Sequence, residues 1–116
     1  MRHKRKLAQL ALPTDQRLAV LRGAVSSLIK HGKIKMTLAK AKAVKIVAEK
    51  LITKAKQGDV SARREAYKVL GDRDLVKTLF DMSSRFADRP GGYTRLTKIG
   101  VRKGDASPVA LIEFVA

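Results

Sequence analysis

Cysteine, tryptophan and asparagine are missing from this chain, and acidic residues are few: 10 Asp and Glu stand against 26 Lys and Arg in 116 residues. Without cysteine there is no disulfide, no thiolate zinc site and no thiol nucleophile, which fits a reducing compartment or one where thiols are not needed. Aromatics amount to Phe80, Phe86, Phe114, Tyr67 and Tyr93. That scarcity leaves the core to Leu, Ile, Val and Ala, and argues against a binder that stacks successive bases on an aromatic platform. No apolar run approaches the roughly 18 residues of a membrane span. The stretch Leu7 to Leu12 is short and broken by Gln9. The basic start therefore does not lead into a secretory signal, and the chain reads as soluble and unprocessed apart from loss of Met1.

Positive charge is what the sequence has in excess. The formal net charge is +16 and the pI is near 10.7. A small body with that charge repels itself unless it meets a polyanion, and a nucleic-acid backbone offers one phosphate per nucleotide and releases counterions when Lys and Arg replace them. Hydrophobic residues still make up 45% of the chain, enough for a folded core and unlike a disordered basic tail. The length predicts one domain. Residues 1–60 hold 15 Lys and Arg against Asp15, Glu49 and Asp59, a net +12, whereas residues 61–116 hold 11 against 7, a net +4. Met1-Arg2-His3-Lys4-Arg5-Lys6 is the densest run, and residues 7–16 carry no positive charge at all. The run reads as an extended arm, residues 1–13, that orders on phosphate, ahead of a domain spanning 14–116.

Hydrophobic periodicity orders the rest. Pro13-Thr14-Asp15 predicts a helix start with Thr14 as cap, and Leu18, Leu21, Val25, Leu28 and Ile29 then recur at helical spacing over about four turns until His31-Gly32. Ile34 to Thr37 alternates like a short strand. Thr37 is placed to cap a second helix, Leu38 to about Gln57, whose stripe is Val44, Val47, Ala48, Leu51, Ile52 and Ala55 and which Gly58 closes. Lys40, Lys42, Lys45, Lys50, Lys54 and Lys56 populate its other faces. A third helix is expected from Ser61 to Leu70, and a fourth from Asp72 to about Ala87 with Leu75, Val76, Leu79, Phe80 and Phe86 inward. Beyond Pro90 the composition shifts to Thr, Val and Ile: Tyr93–Val101 and Val109–Val115 form a hairpin across a turn-rich Arg102–Pro108 link. The expected fold is α+β, about four helices packed on a small, mainly antiparallel sheet.

Catalysis finds little support. The two histidines, His3 and His31, lie in a basic run and at a helix end, the carboxylates are scattered among Lys and Arg, and Gly91-Gly92 lacks the spaced lysine and hydroxyl of a Walker loop. No metal or cofactor is expected. In Arg89-Pro90-Gly91-Gly92-Tyr93-Thr94-Arg95 the paired glycines either let a phosphate backbone approach, with Arg89 and Arg95 alongside, or simply turn the chain from helix to strand; both readings stand. Tyr93 either stacks on a base or sugar or packs into the fold. Against DNA, the hairpin has no apolar tip except Pro108, unlike an intercalating architectural arm, and a recognition helix would want base-reading Arg, Asn or Gln near its start, of which the chain has no Asn.

Read together, Met1-Arg2-His3-Lys4, Asp15-Gln16-Arg17, Leu21-Arg22, His31-Gly32-Lys33-Ile34-Lys35, Leu38-Ala39-Lys40-Ala41-Lys42, Leu51 to Lys56, Arg89 to Arg95, and the ending from Gly104-Asp105 to Val115 closely resemble large-subunit ribosomal protein seventeen of bacteria and plastids, from end to end. The resemblance implies helices on a small sheet and no enzymatic activity. It also implies a structural role near the nascent-chain tunnel exit, with large-subunit ribosomal RNA and neighbouring ribosomal proteins as partners, and no membrane, small-molecule substrate or homo-oligomer. The location would be the ribosome, in cytoplasm or in plastid stroma. By matching position it marks Arg2, His3, Lys4, Arg5, Arg17, Arg22, Lys35, Lys40, Lys42, Arg89, Gly91, Gly92, Tyr93, Thr94 and Arg95 as RNA-facing, and Lys6 continues the same basic run. Leu7 to Pro13, where many relatives stay basic and glycine-containing, is expected to dock by apolar contact on its own domain or a neighbouring protein. A free-standing architectural nucleic-acid-binding protein is the alternative.

Overall fold

In the second helix, buried side chains recur on one stripe, as the spacing of its apolar residues requires: Ala41, Val44, Ala48, Leu51, Ile52 and Ala55 are buried, together with Ala43. This helix lies at the centre of the computed structural model, which describes residues 14–115. The elements run α1 (Thr14–His31), β1 (Lys33–Thr37), α2 (Leu38–Gln57), α3 (Val60–Leu70), α4 (Arg73–Ser83), a 3-10 turn (Ser84–Phe86), β2 (Thr94–Val101) and β3 (Pro108–Phe114). Helix α2 meets each of the other three helices and all three strands. Gly58 ends it in the left-handed region at φ 74°, its N–H donating to the Ala55 carbonyl, a conformation that a side chain would strain. The fold is α+β, as expected. The basic arm and the apolar stretch Leu7 to Pro13 lie outside the described residues.

Element boundaries depart from the sequence reading for local reasons. Helix α1 spans 18 residues, close to five turns rather than four, and Thr14 already belongs to it instead of preceding it as a cap. Thr37 does occupy the N-cap position of α2 but makes no side-chain cap bond and ends β1 instead. Helix α3 starts at Val60 because Asp59 caps it, its Oδ1 accepting from the Ala62 N–H at 2.8 Å. Asp72 does the same for α4, accepting from Asp74 N–H at 2.8 Å. Helix α4 stops at Ser83 rather than near Ala87: the Ser83 Oγ donates to the Phe80 carbonyl at 2.7 Å and the Ser84 Oγ to the Asp81 carbonyl at 2.9 Å. Side chains that engage the carbonyls of the last turn favour its tightening into a 3-10 turn.

The three strands form one antiparallel sheet in the order β1-β3-β2. Register places Ile34, Ile112 and Leu96 side by side, with Met36, Ala110 and Phe114 on the same face, and this face packs on the helices. The opposite face carries two rows, Lys33-Glu113-Arg95 and Lys35-Leu111-Thr97. The register slips between Lys98 and Gly100; Ile99 at the slip and Val101 beyond it are exposed. The hairpin turn is tied by the Arg102–Asp105 ion pair and by Ser107 N–H donating to Asp105 at 3.1 Å. The Arg102 guanidinium holds the Asp105 carboxyl well below the usual carboxylate range.

One continuous apolar cluster draws on all four helices, the 3-10 turn, Tyr93 and β3. Three of the five aromatic residues meet within it. Phe86, fully buried, sets its ring edge-on against Tyr93 with centroids 5.4 Å apart, and lies 6.3 Å from Phe114. This contact locks the end of α4 to the start of β2 and so positions the glycine loop between them.

Candidate nucleic-acid interface

Lys56 decides the shape of that loop. From the last turn of α2 its Nζ donates to the Arg89 carbonyl at 2.6 Å and to the Tyr93 hydroxyl at 3.2 Å, while standing 5.1 Å from the centre of the Tyr93 ring. One ammonium therefore grips both ends of the Arg89–Tyr93 segment. The Thr53 hydroxyl and then the Lys56 ammonium also lower the pKa of the Tyr93 phenol. Lys56→Met is expected to speed amide hydrogen exchange across residues 89–93 at least tenfold, with a loss of about 1–2 kcal/mol in urea titrations, because hydrogen bonds from a charged donor disappear. Unchanged exchange would show that the loop holds itself.

Tyr93 and Thr94 are 2% and 4% exposed, so their side chains are largely buried. The ring of Tyr93 packs against Phe86 and holds the loop through Lys56, at the edge of the groove between the loop and α2. What the loop presents outward is Arg89, Gly91 and Gly92, all exposed. Gly92 has φ 64°, so the chain does turn there, whereas Gly91 lies outside the left-handed region; at both positions a Cβ would meet nothing within 4 Å. Each glycine thus faces open space. Opposite them, Glu49, Lys50, Thr53, Lys54 and Gln57 of α2 complete an open groove of about 470 Å³. Lys50 and Lys54, one turn apart, put two ammonium groups along it. The sequence reading left both outside its candidate set; their spacing on the face away from the Val44–Ala55 stripe was the available signal.

The remaining candidates take other positions. Lys35 and Arg95 share the outer face of the sheet with Lys33, and Arg95 is engaged by Glu113 at 3.0 Å. Lys40 and Lys42 are exposed at the start of α2, about 200° apart around the axis, so they face different directions. No acidic residue occupies that first turn. Cations at the positive end of a helix dipole lower its stability, which suits a surface that expects an anion from elsewhere. On α1, Arg22 is exposed and Arg17 half-buried, with a buried Nε that lacks a partner among the described residues. Arg2, His3, Lys4, Arg5 and Lys6 lie outside the described residues. The structure thus brings Arg89, Gly91 and Gly92 together with α2, sets Lys35 and Arg95 on the same face of the sheet in adjacent rows, and leaves Arg17, Arg22, Lys40 and Lys42 separate.

Chemically these surfaces are arrays of fixed cations around an accessible backbone, with the geometry to meet phosphates. Among the described residues no group of three or more His, Asp or Glu could hold a metal, and no helix is long and apolar enough to cross a membrane.

A protein from Desulforapulum autotrophicum named large ribosomal subunit protein bL17 is 47% identical over 116 residues, covering 99% of this chain and 97% of that protein. Its namesake from Dictyoglomus thermophilum is 49% identical over 116 residues, covering 99% and 100% respectively. One from Clostridium botulinum is 49% identical over 108 residues, covering 92% of this chain and 96% of its own length. The family described as ribosomal protein L17 matches residues 20–115, from within α1 through the end of β3, and the chain belongs to that family.

Proposed function

We propose that this chain is a structural, non-catalytic constituent of the large ribosomal subunit in the cytoplasm, where it clamps ribosomal RNA beside the nascent-chain tunnel exit and supports subunit assembly. Residues 14–116 act as one RNA-binding body, and in the arm of residues 1–13 the basic run Arg2 to Lys6 follows the RNA while Leu7 to Pro13 docks by apolar contact. Neighbouring large-subunit proteins are its other partners. One observation carries the clamp: cations stand on surfaces that point in different directions. Lys33, Lys35 and Arg95 face away from the helices on the outer sheet, while Lys50 and Lys54 line the groove between α2 and the loop that exposes Arg89. A body charged on two sides holds two phosphate backbones at a set distance and relieves their mutual repulsion.

The test is co-sedimentation of tagged chain with purified large subunits through a moderate-salt wash. The family member should remain bound; a chain found mostly in the free fraction would favour the free-standing architectural protein. Gly91→Ala sharpens it. The new methyl enters open space at an ordinary φ, so thermal stability should stay within about 0.5 kcal/mol of wild type. RNA affinity should still fall several-fold, because the methyl stands where a phosphate backbone must approach. Gly92→Ala adds about 1–2 kcal/mol of backbone strain at φ 64°. Normal incorporation of the Gly91 variant beside failure of the Gly92 variant would mean that the glycines only turn the chain.

A further inference from the structure

A second groove opens between α3 and α4, lined by none of the residues of the glycine loop or the sheet. On α3, Val60, Arg63, Arg64 and Tyr67 recur one and two turns apart, a stripe distinct from the buried Ala62-Ala66-Leu70 row. Val60 is 63% exposed and Tyr67 47%, the one aromatic ring among the described residues that stands in the open. Lys68 and Arg73 complete the rim, and no carboxylate lines the space, about 640 Å³. Two of its four cations are occupied: the Arg63 guanidinium stacks 4.4 Å from the centre of the Phe80 ring, and Lys68 pairs with Glu65 at 3.3 Å. Arg64 and Arg73 make no salt bridge among the described residues.

We propose that this groove takes one unpaired RNA nucleotide, its base stacked on Tyr67 and its flanking phosphates on Arg64 and Arg73. The inference rests on the RNA-binding reading above and adds to it a site and a form of RNA. An apolar ring and valine floor beside two uncommitted guanidinium groups match a nucleotide, which is a flat apolar face bonded to an anion. The open groove has room for one nucleotide to seat against it. A lone tyrosine stacks one base, so the site selects a bulged or flipped nucleotide over a paired stem, whose bases already stack on each other. An acidic peptide would satisfy the arginines and leave the ring without a partner.

The probes are two RNA stems alike except that one carries a single bulged adenosine, added to the full chain. With two tyrosines and no tryptophan, Tyr93→Phe leaves Tyr67 as the sole emitter. The bulged stem should quench its emission saturably and the paired stem should not. By anisotropy of labelled RNA, with Tyr93 intact, Tyr67→Ala should weaken the bulged stem about 5- to 100-fold, and Tyr67→Phe should retain the affinity. The paired stem should bind both variants like wild type. Arg64→Gln should reduce the log-log salt dependence by roughly 0.7 to 0.9. Equal quenching by both stems, or a Tyr67→Ala variant that keeps full affinity for the bulge, overturns the site. So does poly-glutamate quenching where RNA does not, which would mark a protein-docking face. Each of these outcomes leaves co-sedimentation and the Gly91→Ala result intact, so the site can fail while the ribosomal reading stands.

Discussion

Phe86→Ala is expected to remove about 3–5 kcal/mol of stability, the range for truncating a buried phenylalanine. The ring has no exposed surface and touches Tyr93 and Phe114, while the Arg85 guanidinium lies 5.7 Å from its centre. Removing it withdraws the support under Tyr93 and, through the tyrosine hydroxyl, one of the two acceptors of Lys56. The effect should thus reach the glycine loop as well as the core. Urea denaturation followed by far-UV circular dichroism would show the midpoint falling, in a fold whose whole stability is of the order of 5–15 kcal/mol. Phe86→Leu, which fills most of the space, should cost clearly less. A loss below about 1 kcal/mol for the alanine variant would mean that the helices close over the gap and that the aromatic cluster does not set the loop.

The second large effect belongs to the arm. Changing Arg2, Lys4, Arg5 and Lys6 together to glutamine should lower the log-log salt slope of ribosomal RNA binding by about 3, since each phosphate contact contributes roughly 0.7 to 0.9. Between 50 and 200 mM salt that slope corresponds to nearly two orders of magnitude in affinity. The folded part should be unaffected, with the same thermal midpoint. Filter binding of the full chain to large-subunit RNA over that salt range gives the answer. A variant with the wild-type slope would show that these four cations meet no phosphate.

Much of this was legible beforehand because the signals are local. The spacing of Val44, Ala48, Leu51 and Ala55 marks α2 to within a residue, and the Thr- and Val-rich segments around Gly104-Asp105 mark the hairpin. What stayed hidden depends on partners remote in the chain. Lys56 is one lysine among six on its helix until the fold carries Arg89, 33 positions later, within 2.6 Å of it. Tyr93 opens a strand, where core and surface positions look the same in sequence; the position of Phe86 decides between them. The pairing of β1 with β3 rather than β2 has no local signature either. Tyr67 escaped notice because an aromatic at helical spacing resembles core until burial shows Ala62 and Ala66 taking that role.

The position of β3 bears on when the molecule can work. It is the middle strand of the sheet yet comes after both strands that flank it, and Val115 N–H donating to the Tyr93 carbonyl at 2.9 Å closes the end of the glycine loop. During synthesis the helices can gather early. Until residues 108–115 emerge, β1 and β2 have nothing to pair with, and Lys35 and Arg95 have no common surface on which to stand. A nascent chain halted before that point would hold all 26 Lys and Arg without the geometry to direct them. Emergence of that middle strand thus acts as a licence: only a chain that has added it can gather the cations of β1 and β2 on one surface.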